Sequence, residues 1–373
     1  DTDQQASFYT FGAGDGLGAS SIVSFSASAK KSFPQNASTI LVPINTTPAA
    51  PYTLLYVSNP GLVPPSTIHW NVSMEQALGS SQSVTIGYVG SQGRNLLTLR
   101  EYSMSALTNN LFSTIEQYEN GPGSNYNALQ IQYKRQMVKG LQVLASYTWA
   151  HAIDWSSTDS VLLPLQRGNS AQDLRHNMTS ALMYDVPNSY AERWKRAILG
   201  NWSTDLWLVM RTGFPVHPTG ATVIDPASGS EYPERLNYNG GNPYVYKAGI
   251  PGGRQFNPAV FSVPTTAQGV VGNSPRNFLR GFGEFDTAFA LQRTFPLYER
   301  FHLQFRGDAF NIFNHPNFGA LNLSCGTTTT GATCNNTLMG QATSTLNNAL
   351  TGSAQLYSQG GPRSFQFALK LQF

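Results

Sequence analysis

The chain has little charge. Asp, Glu, Lys and Arg make up 12% of its 373 residues, about half the share usual in a soluble globular domain. No stretch approaches about 18 consecutive apolar residues, so no transmembrane helix is expected. Cysteine is nearly absent: Cys325 and Cys334 are the two present, too few for a disulfide scaffold. No histidine lies at a zinc-ligand spacing from them, and His69, His151, His176, His217, His302 and His315 form no His-x-x-x-His pair, so no metal or other cofactor is expected. A net charge of +3 without any basic run argues against nucleic acid as a partner. The chain opens Asp1-Thr-Asp-Gln-Gln5, without an initiator Met or a signal peptide. It is expected to be either a processed chain or the later piece of a longer protein.

What the chain does have is alternation. Its last nine residues place Phe365, Phe367, Leu369, Leu371 and Phe373 on one side of an extended strand. Gln366, Ala368, Lys370 and Gln372 fall on the other. Polar-in, apolar-out alternation is the transmembrane β-barrel pattern, although the edge strand of a soluble sandwich alternates equally well. The mean hydropathy of −0.24 does not oppose a membrane, because a barrel strand turns only half of its side chains toward lipid. Strands are expected near residues 66–78, 82–100, 126–138, 141–153, 172–186, 201–212, 283–295, 300–313 and 363–373. Lys139-Gly140 reads as a tight hairpin turn, and Pro296-Leu-Tyr-Glu299 as another turn. Residues 1–65 are poorly defined, with a weak strand at 20–29 and a loop at 32–65.

Connection lengths separate the two readings. With the C-terminus at the periplasmic end, the links there are 79–81, 139–140, 187–199 and 296–299. Those at the other end are about 104–125, 154–171, 213–280 and 314–361. Outer-membrane barrels have short periplasmic turns and long outer loops, whereas a soluble sandwich has no reason to sort its loops so. Aromatics follow the same division. Trp70, Tyr147, Trp149 and Phe313 fall toward the long-loop end, and Tyr184, Trp202, Phe295, Phe301 and Phe373 toward the short-turn end, as two interfacial belts would. The fold expected is all-β: an antiparallel up-and-down transmembrane β-barrel, with about ten strands of a larger barrel spread over residues 1–373. Outer-membrane lipid is then a partner.

Candidate sites are few. Cys325 and Cys334 lie in an expected outer loop, in an oxidising setting, and are expected to bond. Tyr232, Tyr238, Tyr244 and Tyr246 sit among Asn and Gly after Gly213. Tyr244 and Tyr246 are the candidates for ligand contact at the barrel mouth, against the plainer reading of a loop packed on itself. Glu284 and Asp286 share one strand face, a placement that resembles a glycosidase pair; a lumen wall paired with Arg306 is the simpler account, and no catalytic residue is assigned. Gly12-Ala-Gly-Asp-Gly-Leu-Gly18 lacks the Lys-Ser/Thr of a phosphate loop. Asn-x-Ser/Thr triplets begin at Asn36, Asn45 and Asn71, but a bacterial barrel gives them no role as glycosylation acceptors.

Several segments in order carry a family resemblance. They are Thr67-Ile-His-Trp-Asn-Val-Ser73, Gly87-Tyr-Val-Gly-Ser-Gln-Gly93, Ser124-Asn-Tyr-Asn-Ala-Leu-Gln130 and Gly140-Leu-Gln-Val-Leu-Ala-Ser-Tyr-Thr-Trp149. Asp173-Leu-Arg-His176, Phe256-Asn-Pro-Ala-Val-Phe261, Gly272-Asn-Ser-Pro-Arg-Asn277 and Phe305-Arg-Gly-Asp-Ala-Phe-Asn-Ile-Phe-Asn-His-Pro-Asn-Phe318 follow. With the terminal strand, this set resembles the TonB-dependent receptors of the Oar-like, carboxypeptidase-regulatory-domain type. The resemblance implies a bacterial outer-membrane receptor that takes up a small ligand, oligosaccharide or peptide with inner-membrane energy. Such receptors have about 22 strands and a plugged lumen. The plug, the TonB-contacting segment and the upstream β-sandwich have no counterpart here, so the chain looks like the C-terminal portion of a receptor. TonB would then act through the missing N-terminal region. The terminal strand, Phe365 to Phe373, resembles the signal that the barrel assembly machinery reads. A passive porin and a soluble β-rich carbohydrate-active protein are the alternatives.

Overall fold

The structure, a computed structural model, describes residues 52–103, 112–155, 165–187, 191–224, 231–265, 272–298, 301–349 and 360–372. Nine long strands run in sequence order through one antiparallel sheet. They are β1 (Ser66–Ala77), β2 (Gln82–Arg94), β3 (Ser124–Val138), β4 (Leu141–Asp154) and β5 (His176–Asp185). Then come β6 (Trp202–Arg211), β7 (Glu284–Tyr298), β8 (Phe301–Phe310) and β9 (Ser364–Gln372). A two-residue strand, Gly168–Asn169, lies beside β4. Each strand pairs with its neighbour in sequence, which makes this a partial up-and-down barrel wall.

Register fixes the two faces. Val143, Leu182, Leu206, Phe289, Ala309 and Phe365 stand in one row across six strands. One residue along β6, Asp205 stands in a row with Gln142, Met183, Ala290, Asp308 and Gln366. Successive side chains point to opposite faces, so the apolar row faces lipid and the mixed row faces the lumen. In hydrocarbon every backbone N–H and C=O needs a partner within the protein, and the continuous ladder from β1 to β9 supplies one for each inner strand. The turn at Lys139-Gly140 has positive φ at both residues, 54° and 79°, the two-residue hairpin geometry whose twist matches the strands. A Cβ on Gly140 would come within 2.1 Å of the Asp185 carbonyl oxygen, so glycine is required there.

Four details differ from the sequence-based expectation. The strand expected over 82–100 ends at Arg94, where Asn95 takes a φ of 51°, and a new strand, Leu97–Ser103, begins. It pairs with Phe112–Asn120, and that strand pairs in parallel with Tyr52–Ser58. These three form a separate sheet where loops were expected over 32–65 and 104–125. Parallel pairing between residues sixty apart in the sequence leaves no local period to read. Pro296 does not turn the chain: β7 continues to Tyr298, with a register shift between Pro296 and Tyr298, the kind of irregularity at which a strand tolerates proline. The link between β5 and β6 holds a helix, α1 (Arg193–Leu199). Finally, the segments 213–280 and 314–361 are not plain loops. The weak strand expected at 20–29, and Phe373, lie outside the described residues.

Candidate functional site

The buried apolar core lies beyond the end of the wall. Leu236, Phe256, Phe261, Val263, Leu279, Cys325, Cys334 and Met339 form one cluster. All come from the two long links at the end opposite the short turns. A membrane wall has no need of an inner apolar core, because its apolar side is met by lipid. The long links, in water, must bury their own. They fold together as a cap held by small antiparallel pairings, such as Tyr244–Tyr246 with Arg254–Phe256. Cys325 and Cys334 are joined by a disulfide inside that core. Mutating both to Ser is expected to lower cap stability by about 2–3 kcal/mol, the chain-entropy value for so short a loop. Faster protease cleavage of the cap, with unchanged heat-modifiable mobility of the wall, is the expected reading. Equal protease resistance with and without the bond would refute it.

Charged groups hold the cap to the wall. Asp173, fully buried, accepts the Ala152 N–H from β4 at 2.7 Å and contacts His151 Nδ1 at 3.2 Å. Arg175 reaches it at 3.4 Å. From the other side of the junction Arg280 pairs with its carboxylate and donates to its backbone oxygen at 2.5 Å. Burial alone would raise the carboxyl's pKa, but the Ala152 N–H, Arg280 and His151 outweigh it and hold Asp173 below the ordinary carboxylate value. Arg276, also buried, bonds Asp154 at the end of β4 at 2.5 Å and the Gln166 carbonyl at 2.9 Å. Asn311 and Asn317 close the other end: Asn317 exchanges two hydrogen bonds with the Phe285 backbone, at 2.8 and 3.0 Å, and Asn311 binds the Gly361 carbonyl at 2.8 Å.

Tyr244 and Tyr246 have different settings. The Tyr244 hydroxyl accepts the Arg280 N–H at 2.8 Å, and the Arg254 guanidinium lies 4.8 Å from its ring. Tyr244 is therefore part of the cap's own packing. Tyr246 is 73% exposed and its ring is open to a ligand. Tyr238 packs against Phe261 and Phe278. Glu284 pairs with Arg211, not with Arg306. Arg306 instead binds Asp308 at 2.9 Å and Asp205 at 3.5 Å, because register sets Arg306 opposite Gln292 and leaves Glu284 beside Arg211. Asp286 accepts the Gly360 N–H at 3.0 Å. Three more histidines are likewise engaged: His176 with the Tyr147 hydroxyl at 2.8 Å, His217 with Asn277 at 3.0 Å and His315 with Asn317 at 3.2 Å. Among the described residues no three His, Cys, Asp or Glu side chains gather as a metal set.

The lumen wall is divided by charge. At mid-height β1 to β4 carry hydroxyls and amides, and a recess of about 440 Å³ lies over Asn71, Ser73, Thr85, Gln130, Gln132 and Thr148. β6 to β8 carry the Arg211–Glu284 pair and the Asp205–Arg306–Asp308 group. One side of the lumen thus offers neutral hydrogen-bonding groups and the other offers paired charges. The sequence reading did not single out Asp173, Arg276 or Arg280 as a junction. The first two belong to the family-like segments 173–176 and 272–277, yet they lie about a hundred residues apart and nothing local couples them.

A family model described as outer membrane beta barrel domain matches residues 2–366. Among curated proteins none matches. Solved structures of outer-membrane transporters are among those it is similar to. One is the outer membrane transporter YddB from Escherichia coli, with TM-score 0.43 and 9% identity, over 84% of this chain and 33% of that one. The other is the copper transporter OprC, with TM-score 0.34 and 11% identity, over 84% of this chain and 32% of that one. This chain therefore spans about a third of the length of either. The polar-in, apolar-out wall and the family match over nearly all of the chain lead to one assignment: the chain belongs to the outer membrane β-barrel domain family, and its place is the bacterial outer membrane.

Proposed function

We propose that this chain is the C-terminal barrel portion of a TonB-dependent receptor of the Oar-like type, which takes up a small ligand, oligosaccharide or peptide across the outer membrane. The observation that carries this reading is the parity of the wall. Among the described residues, nine strands in an antiparallel meander leave β1 and β9 running the same way, each with one neighbour in the sheet. Direct closure would need a parallel seam, whereas bacterial single-chain barrels are antiparallel with even strand numbers. Completion therefore calls for an odd number of strands beyond the nine described, and in this reading a larger receptor barrel supplies them. In this reading the chain is a transport wall and not an enzyme, and Glu284 and Asp286, bonded to Arg211 and to the Gly360 N–H, serve that wall. Its partners are outer-membrane lipid, the barrel assembly machinery acting on the terminal strand, and TonB acting through the part upstream. It has no nucleic-acid partner.

Energised uptake needs an element with two states that TonB can bias, and a wall alone has none. The test expresses this chain and the full-length protein in cells with and without TonB. Uptake of a panel of labelled oligosaccharides and peptides is then measured. Saturable uptake is expected from the full-length protein with TonB only, and none from this chain alone. TonB-independent, non-saturating uptake by the full-length protein would make it a passive channel and refute the proposal.

A further inference from the structure

The link between β5 and β6 carries a surface that turning the chain does not require. The neighbouring links at the same end, after β1 and β3, turn within a few residues. This one includes α1, whose sequence is Arg193-Trp-Lys-Arg-Ala-Ile-Leu199. Trp194 and Ile198 stand one helical turn apart and are 62% and 57% exposed, with Leu199 exposed beside them. A helix of seven residues is marginal in water, and one that leaves an indole and two aliphatic side chains uncovered needs an apolar surrounding to hold it.

Its attachment says which surrounding. Trp202, on the lipid-facing side of β6, donates its indole N–H to the Ile198 carbonyl at 2.9 Å. The last turn of α1 is thereby tied to the outer side of the wall's foot. Directly opposite Trp202 in the ladder is Arg293, also on the lipid-facing side. Its guanidinium lies 5.2 Å from the Trp202 ring and 4.5 Å from the Phe295 ring. Leu297 and Phe301, at the same end, are exposed as well. The apolar belt of the wall therefore runs on into the apolar side of α1.

Charge accompanies it. Residues 191–202 hold Arg193, Lys195 and Arg196 against Glu192 alone, and Arg293 adds a further cation. Lys195 pairs with Glu192 at 2.6 Å and lies over the Trp194 ring, with its ammonium 5.4 Å from the ring centroid. A basic helix with Trp and aliphatic residues on one side lies in the membrane interface, with cations at the headgroups. Long basic side chains bury their stems and lift their charges to that level.

We propose that α1 and the Trp202–Arg293–Phe295 group form one docking surface for anionic phospholipid in the periplasmic leaflet. Trp194, Ile198 and Leu199 sink to the acyl boundary, and Lys195, Arg196 and Arg293 meet the phosphates. This rests on the orientation that puts the short links in the periplasm, but not on TonB coupling, so failed uptake would leave it standing.

The test uses the full-length protein in bilayers of phosphatidylcholine that contain either brominated phosphatidylglycerol or brominated phosphatidylcholine at equal mole fraction. The Trp194 signal is the difference between the protein and its Trp194→Phe variant. Bromine should quench that signal in both bilayers, with phosphatidylglycerol favoured by about fivefold, the effect of roughly one cation near an anionic surface. The double variant Lys195→Gln/Arg196→Gln, whose changes lie outside the sheet, should lose most of that preference while keeping heat-modifiable mobility. No quenching would mean that α1 stands in water or on protein and would overturn the proposal. Equal quenching by the two lipids, or a preference that survives the double variant, would overturn it too.

Discussion

Replacing Asp173 with Asn is expected to loosen the cap from the barrel wall and to cost about 3 kcal/mol, at the low end of the range for breaking a buried ion pair. The low end applies because Arg280, its main partner, remains 23% exposed and regains some water when the charge is lost. Asn keeps the shape and can still accept the Ala152 N–H, so the variant isolates charge from packing. The pH dependence follows from the sign of the shift. The folded-state pKa of Asp173 is depressed, so its contribution is fully present above the unfolded carboxylate value of about 3.9. It is lost as pH falls through the folded value. Hydrogen exchange in residues 272–280 is the measurement. The native protein should be protected at neutral pH and lose protection in strong acid, whereas Asp173→Asn should be weakly protected at both. Equal protection of the two proteins at neutral pH would show that the junction does not depend on this charge.

The second large effect separates the two faces of the wall. Leu206 and Trp207 are neighbours near the middle of β6, 37% and 41% exposed, and hydropathy alone cannot tell them apart. Leu206 stands in the apolar row with Leu182 and Phe289, whereas Trp207 stands between Ala181 and Ala288 on the lumen side. Leu206→Arg is expected to cost about 2–4 kcal/mol, the range for an arginine on the lipid face near the midplane. Trp207→Arg should cost far less, since an arginine there meets water and the carboxylates of Asp205 and Asp286. Urea unfolding of the full-length protein in phospholipid vesicles gives both values. If Trp207→Arg is the more damaging, the two faces have been assigned in reverse.

These two tests address different levels of the molecule, and the levels were not equally legible. Alternation of side chains is local, so the nine wall strands could be located from patterns such as Ile68, Trp70, Val72 and Met74, or Phe365 to Leu371. The sorting of short and long links was also visible in one dimension, and it gave the membrane reading before any pairing was known. The cap was not legible. Its core joins Leu236 to Met339 and Phe256 to Cys334, residues that share no period. The junction joins Asp173 to Arg280 and Asp154 to Arg276 across more than a hundred residues.

The sequence by itself determined the wall, its faces and its membrane, because strand period and lipid exposure act residue by residue. Tertiary structure alone decided what the long links do. It gave Tyr244 to the cap's packing and left Tyr246 outside, paired Glu284 with Arg211 rather than Arg306, and set α1 against the lipid-facing foot of β6. The reason is physical. A lipid-facing side chain is selected by a solvent that is the same along the whole row. A buried ion pair or a cap contact is selected by one partner, and the identity of that partner exists only once the chain has folded.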